Sequence, residues 1–436
     1  MIVSRVFSGN RYAVLGLARS GLATVEALLA SGAEVVAWDT NAETRERVST
    51  LLDTNGNLRM ADILDIDLTG FDGVVVSPGV PINRHPIADK ARAAGAPLIG
   101  DIELFAQARA DLPPHRIVGI TGTNGKSTTT ALVTHILKVA GAPALMGGNI
   151  GLPILSQDPL PAGGVYVLEL SSYQIDLSFT LDCDVAVLLN ITPDHLDRYD
   201  GFAGYAASKA RLFAMQSIEN VSIVTDDGAV AEIGLTQWQR KSPDRHIRVS
   251  GDDVSADAQA HWPTLQGPHN AQNAAAAIAA CRALGIDEAA IEQGLRTYPG
   301  LPHRMERVAE KGHVLFVNDS KATNAESTAP ALAAYPKIRW ILGGRAKTDD
   351  LDACAPHFGH VRSAYTIGEA GPLFARLLAP HMKVVESGTL DAAVKAAAND
   401  AEPGDVVMLS PACASFDQFR DYEARGDAFR AAVGAL

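Results

Sequence analysis

The chain has little cysteine, no excess of positive charge and no long apolar run, and each shortage excludes something. Its 436 residues hold four cysteines (Cys183, Cys281, Cys354 and Cys413), widely spaced and without a CxxC pair. That pattern belongs to reduced core thiols rather than to a disulfide framework or a zinc site. Lys and Arg number 37 against 50 Asp and Glu, a formal net charge of −13. A general nucleic-acid surface needs the opposite balance, although a few local lysines can still hold a small anion. Residues 1–15 lack the apolar segment of a secretory signal, and no uncharged apolar run approaches ~18 residues. A soluble cytoplasmic protein with neither membrane nor nucleic acid as partner is expected. Repeats and low-complexity tracts are missing too. A chain of 436 residues exceeds a single core and suggests two to four domains.

Two familiar glycine signatures are each one glycine short. The stretch Ile120-Thr-Gly-Thr-Asn-Gly-Lys-Ser-Thr128 departs from the strict Walker pattern, because Ile120 sits where its first glycine belongs. What remains is still a phosphate cradle. An apolar strand over 116–120 leads into Gly122, Thr123, Asn124 and Gly125, and a helix over 127–140 stops at Gly141. Backbone N–H groups and a helix N-terminus face an anion there, Lys126 neutralises the β/γ-phosphates, and Ser127 or Thr128 offers a hydroxyl to Mg²⁺. An ordinary βα turn also needs glycines, but not Gly-Lys-Ser at the helix start, so an ATP site is expected. The second signature, Gly16-Leu-Ala-Arg-Ser-Gly21, has Ala18 in place of the middle glycine of GxGxxG. With strands over 11–17 and 34–39 and a helix between, it makes a βαβ unit suited to a pyrophosphate more than to a nicotinamide dinucleotide.

The periodicity alternates strands and helices throughout. A strand over 73–77 breaks at Ser77-Pro78-Gly79, and a boundary falls near 104–115 at Asp111-Leu-Pro-Pro-His. Strands over 165–170 and 184–190 end in Glu169-Leu-Ser-Ser and in Asn190-Ile-Thr-Pro-Asp-His-Leu-Asp197, which puts Glu169 and His195 on the phosphate-loop edge. Lys209 lies in a helix over 205–215 and by itself reads as solvated surface. Residues 226–262 read as polar and irregular, with short strands at best. Asn270 and Asn273 begin an alanine-rich helix, where their amides either read an adenine edge or cap the helix. Residues 297–304 form a proline-rich hinge. Beyond it three strands end in Asp319-Ser-Lys-Ala-Thr-Asn324, in Gly343-Gly-Arg-Ala-Lys347 and in Ser410-Pro-Ala-Cys-Ala-Ser-Phe416. Lys321, Lys347 and Ser415 then suit a small carboxylate-bearing molecule.

Taken together with Gly147-Gly-Asn-Ile-Gly151, Asp194-His-Leu-Asp-Arg-Tyr199, His269-Asn and Gly300-Leu-Pro-His-Arg304, these motifs resemble the muramyl (Mur) ligases of peptidoglycan synthesis along nearly the whole chain. The pairing of Asp319-Ser-Lys-Ala-Thr-Asn324 with Ser410-Pro-Ala-Cys-Ala-Ser415 favours the branch that adds D-glutamate. The resemblance implies an α/β protein of three domains. A Rossmann-like UDP-binding domain spans 1–104. A central P-loop ATPase domain with a mostly parallel sheet spans 105–300, and a C-terminal Rossmann-like domain for the amino acid spans 301–436. It implies a monomer whose partners are ATP, UDP-N-acetylmuramoyl-L-alanine and D-glutamate. Lys126, His195, Lys209 and Lys321 then carry the chemistry. Ser127 and Glu169 resemble ligands of one Mg²⁺, and His195 and a carbamylated Lys209 those of a second. Asn270, Asn273, Arg304 and Asp319 match nucleotide positions. Leu17, Ala18, Arg19, Asp39, Thr40, Ser77, Pro78 and Gly79 match uridine-diphosphate contacts, with Asn149 and His195 at the muramoyl end. Thr323, Lys347, Ser415 and Phe416 match the amino-acid pocket. Asn41 departs from an often basic position, and Phe416 stands where leucine is usual.

Overall fold

In a computed structural model that describes residues 1–52, 56–226 and 228–436, the strands form three sheets. The first comprises β1 (Arg11–Leu15), β2 (Glu34–Trp38), β3 (Leu58–Met60), β4 (Gly73–Val76) and β5 (Leu98–Ile99), all parallel in the order β3-β2-β1-β4-β5. Strand order reverses between β1 and β4, so the turns after these two strands share the crevice where such sheets bind ligands.

The second sheet holds β6 (His115–Thr121), β7 (Ala144–Gly148), β8 (Gly164–Glu169), β9 (Val185–Leu188), β10 (Val221–Thr225) and β11 (His246–Val249), again all parallel. Its order, β11-β10-β9-β6-β8-β7, places β6 between β8 and β9. The apolar runs predicted from sequence are buried on both faces: Val165 to Leu168 and Val185 to Leu188 are all within the core. That is what a parallel sheet covered by helices requires.

The third sheet contains β12 (Glu306–Lys311), β13 (Val314–Asn318), β14 (Ile338–Gly343), β15 (Val361–Ile367), β16 (Lys383–Gly388) and β17 (Val406–Leu409) in the order β12-β13-β17-β14-β15-β16. Only the edge strand β12 runs antiparallel, as the first arm of a hairpin with β13. Alternate residues enter two cores: Trp340, Leu342 and Met408 pack on one face, Ile341, Val407 and Phe316 on the other.

Residues 1–250 with 276–294 make one compact unit, and 251–275 with 295–436 make another. Inside the first unit one continuous core joins Tyr12 and Val14 of β1 to Ile117, Leu168 and Ala186 of the second sheet. Glu103, on the helix Asp101–Ala108, fastens this junction by accepting from the backbone N–H of Phe179 (2.6 Å) and Thr180 (2.9 Å). Among the described residues no helix is long and apolar enough to cross a membrane.

The stretch 226–262 is more regular than its polarity suggests. A helix covers Gly228–Arg240, followed by β11 and a short helix Ala256–Gln259. Val230 is fully buried and Ile233, three residues on, packs on the same core, so these two apolar side chains help dock the helix. Asp227 lies outside the described residues.

Beside the first crevice, Asp101 opens its helix with a fully buried carboxyl. Its Oδ1 accepts from the N–H of Ile102 at 3.0 Å, while Oδ2 has no hydrogen-bond partner. Burial pushes the group up to about 6 from an ordinary 3.8. Because the folded value is the higher one, the protonated form favours folding, and that stability is lost as pH rises through about 6. Asp101→Asn, which cannot ionise, should therefore abolish this component. Thermal melts between pH 5 and 7.5 should show the wild-type Tm falling by roughly 2–4 °C more than that of the variant. Parallel pH profiles would show that the group is not buried as described.

Candidate active site

The most heavily organised site lies where β6 ends between β8 and β9. Its loop turns at Gly122, whose φ of 152° and backing by the Leu189 side chain, 3.1 Å from a would-be Cβ, admit only glycine. Asn190, at the end of β9, grips the loop from both directions. Its Oδ1 accepts from the N–H of Asn124 (2.8 Å) and its Nδ2 donates to the carbonyl of Asn124 (3.1 Å). Thr123 is held similarly: its N–H donates to the Asn190 carbonyl, and its hydroxyl lies 3.2 Å from that of Tyr205. Gly125 starts the helix Lys126–Val139 with a left-handed φ of 83°. The predicted loop, Gly122 to Thr128, is thus assembled as a unit.

Two lysines meet on one carbonyl. Lys126 donates to the oxygens of Gly122 (2.9 Å) and Thr123 (2.7 Å). Lys209, on the helix Gly201–Ala214, donates to the same Gly122 oxygen at 2.9 Å and to the Thr121 hydroxyl at 3.4 Å. Far from being solvated surface, Lys209 is 1 % exposed, with its ammonium 4.7 Å from the centre of the Tyr205 ring. Burial, reinforced by the nearby Lys126 charge, holds its pKa well below the ordinary lysine value.

Glu169 ends β8 beside this pair. Its Oε1 accepts from Nδ2 of Asn149 at 2.9 Å, while its buried Oε2 has no hydrogen-bond partner. A buried carboxylate oxygen left unpaired is costly, and a divalent cation is the partner that suits it. The Ser127 hydroxyl, also buried, begins the helix alongside. Among the described residues no three His, Cys, Asp or Glu converge as a metal cage. Mg²⁺ at a phosphate site commonly takes one or two protein ligands and fills the rest with phosphate and water, so the donor set fits that ion. His195 stands at a left-handed φ of 53°, with its ring centroid 5.0 Å from that of Tyr173. Partial burial lowers its pKa, opposed by Asp194 and assisted by Lys209 and Lys126.

At the first-sheet crevice the glycine turn is tight enough that a Cβ on Gly21 would lie 1.8 Å from the Gly16 carbonyl oxygen. Ser77 donates its hydroxyl to that same oxygen at 2.8 Å, joining the ends of β1 and β4. The Asp39 carboxylate accepts from the N–H groups of Leu17 (2.7 Å) and Asn41 (2.9 Å), so it shapes the turn on which Ala18 and Thr40 also lie. Arg19 reaches the Gly151 carbonyl at 3.2 Å. Pro78 and Gly79 complete the loop after β4.

In the second unit the three expected strand ends are neighbours, because β17 lies between β13 and β14. Asp319 is buried, accepts from the Ser410 hydroxyl (2.8 Å) and the N–H of Met305 (3.2 Å), and is pushed by burial up to about 7. The Lys321 ammonium sits 3.9 Å over the Tyr422 ring. Ser415 is buried, whereas Lys347 and Phe416 are exposed, Phe416 to 64 %. Thr323 and Arg304 are half-buried. Asn270 and Asn273 lie inside the helix Pro268–Ala283 rather than at its cap. They bond to each other at 3.1 Å, and Asn270 also donates to the Gln266 carbonyl.

Arg425 was not anticipated. In a terminal helix an arginine ordinarily points to water, yet this one is 1 % exposed and donates to the Ser320 hydroxyl and carbonyl and to the Cys413 carbonyl. Sequence carries no signal for it beyond the neighbouring Gly426, which lets the helix approach His303.

Three domain descriptions match in order: a MurD-like N-terminal domain over 10–100, the Mur ligase middle domain over 120–281 and the Mur ligase glutamate ligase domain over 303–413. The chain belongs to the Mur ligase family. It is 65 % identical to a UDP-N-acetylmuramoylalanine–D-glutamate ligase of Novosphingobium aromaticivorans, over all of this chain and 97 % of that one. To the protein of the same description from Zymomonas mobilis it is 59 % identical over the full length of both. Among solved structures it resembles a UDP-N-acetylmuramate-alanine ligase, MurC, from Thermotoga maritima, with a TM-score of 0.58 at 15 % identity over 98 % of this chain and 99 % of that one. FolC of E. coli, with a TM-score of 0.55 at 20 % identity, covers 77 % of this chain and 93 % of its own. At such identities the likeness speaks for the Mur ligase fold alone.

Asn190 supplies the test of the loop. Asn190→Ala removes both amide bonds to Asn124 and should weaken nucleoside-triphosphate affinity by about tenfold, for two lost bonds of ~1 kcal/mol each partly replaced by water. Titration calorimetry with Mg-ATP reads this directly, and unchanged affinity would show that the clamp does not shape the anion cradle.

Proposed function

We propose that this Mur ligase forms an amide bond between D-glutamate and UDP-N-acetylmuramoyl-L-alanine, driven by ATP, in peptidoglycan precursor synthesis. Relatives of that description match the chain end to end. The observation that carries the chemistry is the phosphate loop between β8 and β9, with two lysines on the Gly122 carbonyl and the unpaired Glu169 oxygen beside them.

The reaction sets the demands. A carboxylate resists attack by an amine until one of its oxygens becomes a leaving group. The substrate carboxylate therefore attacks the γ-phosphorus, ADP leaves, and an acyl phosphate forms. The amine of D-glutamate then attacks the acyl carbon, loses a proton, and phosphate departs as the amide forms. Two anions must first be brought together, and preorganised positive charge is the main lever for that. Lys126 neutralises the β/γ-phosphates, with Gly122, Thr123, Asn124, Gly125, Ser127 and Thr128 cradling them. Ser127 and Glu169 would hold one Mg²⁺, and His195 with Lys209 a second. Such ions neutralise the oxygens between which the phosphoryl group passes. Asn149 and His195 receive the muramoyl end. Leu17, Ala18, Arg19, Asp39, Thr40 and Ser77-Pro78-Gly79 receive uridine diphosphate. Asn270, Asn273, Arg304 and Asp319 serve the nucleotide, Lys321 the transferred phosphate, and Thr323, Lys347, Ser415 and Phe416 the amino acid. These roles fall in domains 1–104, 105–300 and 301–436 of a cytoplasmic monomer.

Phosphate release tests the reading as a whole. With UDP-N-acetylmuramoyl-L-alanine and ATP it should be negligible until D-glutamate is added, and release equal in both conditions would make the protein a plain ATPase. For the amino-acid pocket, Lys347→Ala should raise the KM for D-glutamate about tenfold or more, as loss of a charge-assisted contact does, and leave that for ATP unchanged. Equal rises for both substrates would point to misfolding.

Lys209 is proposed to work as its carbamate. An ammonium repels Mg²⁺, whereas a depressed pKa leaves a neutral amine free to take up CO₂ and present oxygen. Lys209→Ala should lose activity by about 10³-fold and regain part of it with added short-chain carboxylic acids. Substantial activity in Lys209→Arg, which keeps the charge and cannot be carbamylated, would exclude the carbamate.

A further inference from the structure

Between the two crevices of the first unit runs a bridge made by one arginine from each side. The turn after β9 folds back on itself, with the N–H of Arg198 donating to the His195 carbonyl at 2.9 Å. From that turn the Arg198 side chain lies half-buried, its guanidinium carbon 3.8 Å from the centre of the Tyr173 ring, and its Nη2 donates to the carbonyl of Val80 at 3.1 Å. In the reverse direction Arg84 donates to the carbonyl of Asp197 at 2.9 Å, and Asn83 to the same oxygen at 3.3 Å. Val80 closes the turn after β4, donating its N–H to the Ser77 carbonyl at 3.0 Å, and Ser77 in turn donates to the Gly16 carbonyl.

Arg198 also sits on the ring that backs His195. The Tyr173 ring that it covers is 5.0 Å from the His195 ring and stacks on Tyr199 at 6.1 Å with 17° between planes. Tyr199 is pinned by its hydroxyl to Asp176, which also accepts from Ser208, next to Lys209 in sequence. A continuous set of contacts therefore runs from the glycine turn at Gly16, through Ser77 and Val80, to Arg198, Tyr173 and His195. A guanidinium can lie flat on a ring and direct an N–H in its own plane at a carbonyl, whereas a lysine ammonium is a compact point charge with no flat face to stack.

We propose that Arg198 is a positioning residue that sets the spacing between the loop after β4 and the turn carrying His195. A UDP-linked substrate gripped at the first loop then delivers its far carboxylate in register with the phosphate loop. This rests on the reading that the first crevice binds the UDP end and that His195 lies at the muramoyl end. The demand is physical: a carboxylate and a γ-phosphate react only in near-attack geometry, and a displacement of about 1 Å costs on the order of 10²-fold in rate. Arg198 touches no reacting atom; it acts through Val80 on one side and Tyr173 on the other.

The test uses the full chain and UDP alone, with hydrogen exchange as readout. In the wild type, UDP should slow exchange over 77–84 and also over 194–199, the second effect passing through Arg198. In Arg198→Ala, protection should persist over 77–84 and vanish over 194–199. In parallel, kcat/KM for UDP-N-acetylmuramoyl-L-alanine should fall about 10²-fold in Arg198→Ala and nearly as far in Arg198→Lys, with the KM for ATP unmoved. Protection of 194–199 that survives in the alanine variant overturns the proposal, as does full activity in Arg198→Lys. Protection of 77–84 alone in the wild type overturns it too. If UDP protects neither segment in the wild type, the reading of the first crevice falls and takes the proposal with it.

Discussion

The carbonyl oxygen of Gly122 is the point on which the first unit turns. Two lysines, from the helix that begins at Lys126 and the helix that carries Lys209, donate to it at 2.9 Å each. Like charges so close repel, and burial makes the repulsion stronger. The arrangement therefore suits a site that will hold anions, and it drives the more buried amine toward neutrality. Everything around it keeps that geometry: a left-handed glycine on either side of the loop, Asn190 gripping Asn124, and Tyr205 beneath Lys209 with its hydroxyl on Thr123.

Parallel sheets explain why so many polar residues gather at so few places. In each sheet the chain reverses its direction of growth beside a central strand: β1 against β4, β6 between β8 and β9, β17 between β13 and β14. The loops at those points are free of crossover helices and lie side by side. The likeness to Mur ligases of 15–18 % identity follows from the same cause. Strand order and switch points can persist while most surface residues change, since the core needs only apolar side chains of about the right volume.

The second unit shows the corresponding device with buried charge. Among the described residues Arg425 has no carboxylate partner but donates to carbonyls of Ser320 and Cys413, tying the loops after β13 and β17 to the terminal helix. Asp319 is likewise enclosed and hydrogen-bonded. Removing such a group leaves its partners buried and unpaired, so these positions tolerate little change.

Local chemistry decided what could be read from the sequence. Apolar runs ending in Gly, Ser, Asp or Asn marked the strands and the loops where polar residues gather, because a parallel strand is buried throughout and its loop is not. Gly125-Lys-Ser marked the loop and helix start after β6 as a candidate anion site, because an ordinary turn does not call for Lys-Ser there. The helix Gly228–Arg240 lies in a stretch that reads as polar and irregular, and its docking through Val230 and Ile233 is visible only in the fold. Lys209 by itself reads as solvated surface, and only the family resemblance pointed it inward, whereas Arg425 carries no sign of its burial in sequence. Burial, shared acceptors and the bridge through Arg198 join residues dozens of positions apart, and such distances depend on how sheets and helices pack. Sequence by itself determined which residue types stand at each strand end. The tertiary structure alone decided which of those ends meet, because strand order is set by the packing of helices across the sheet.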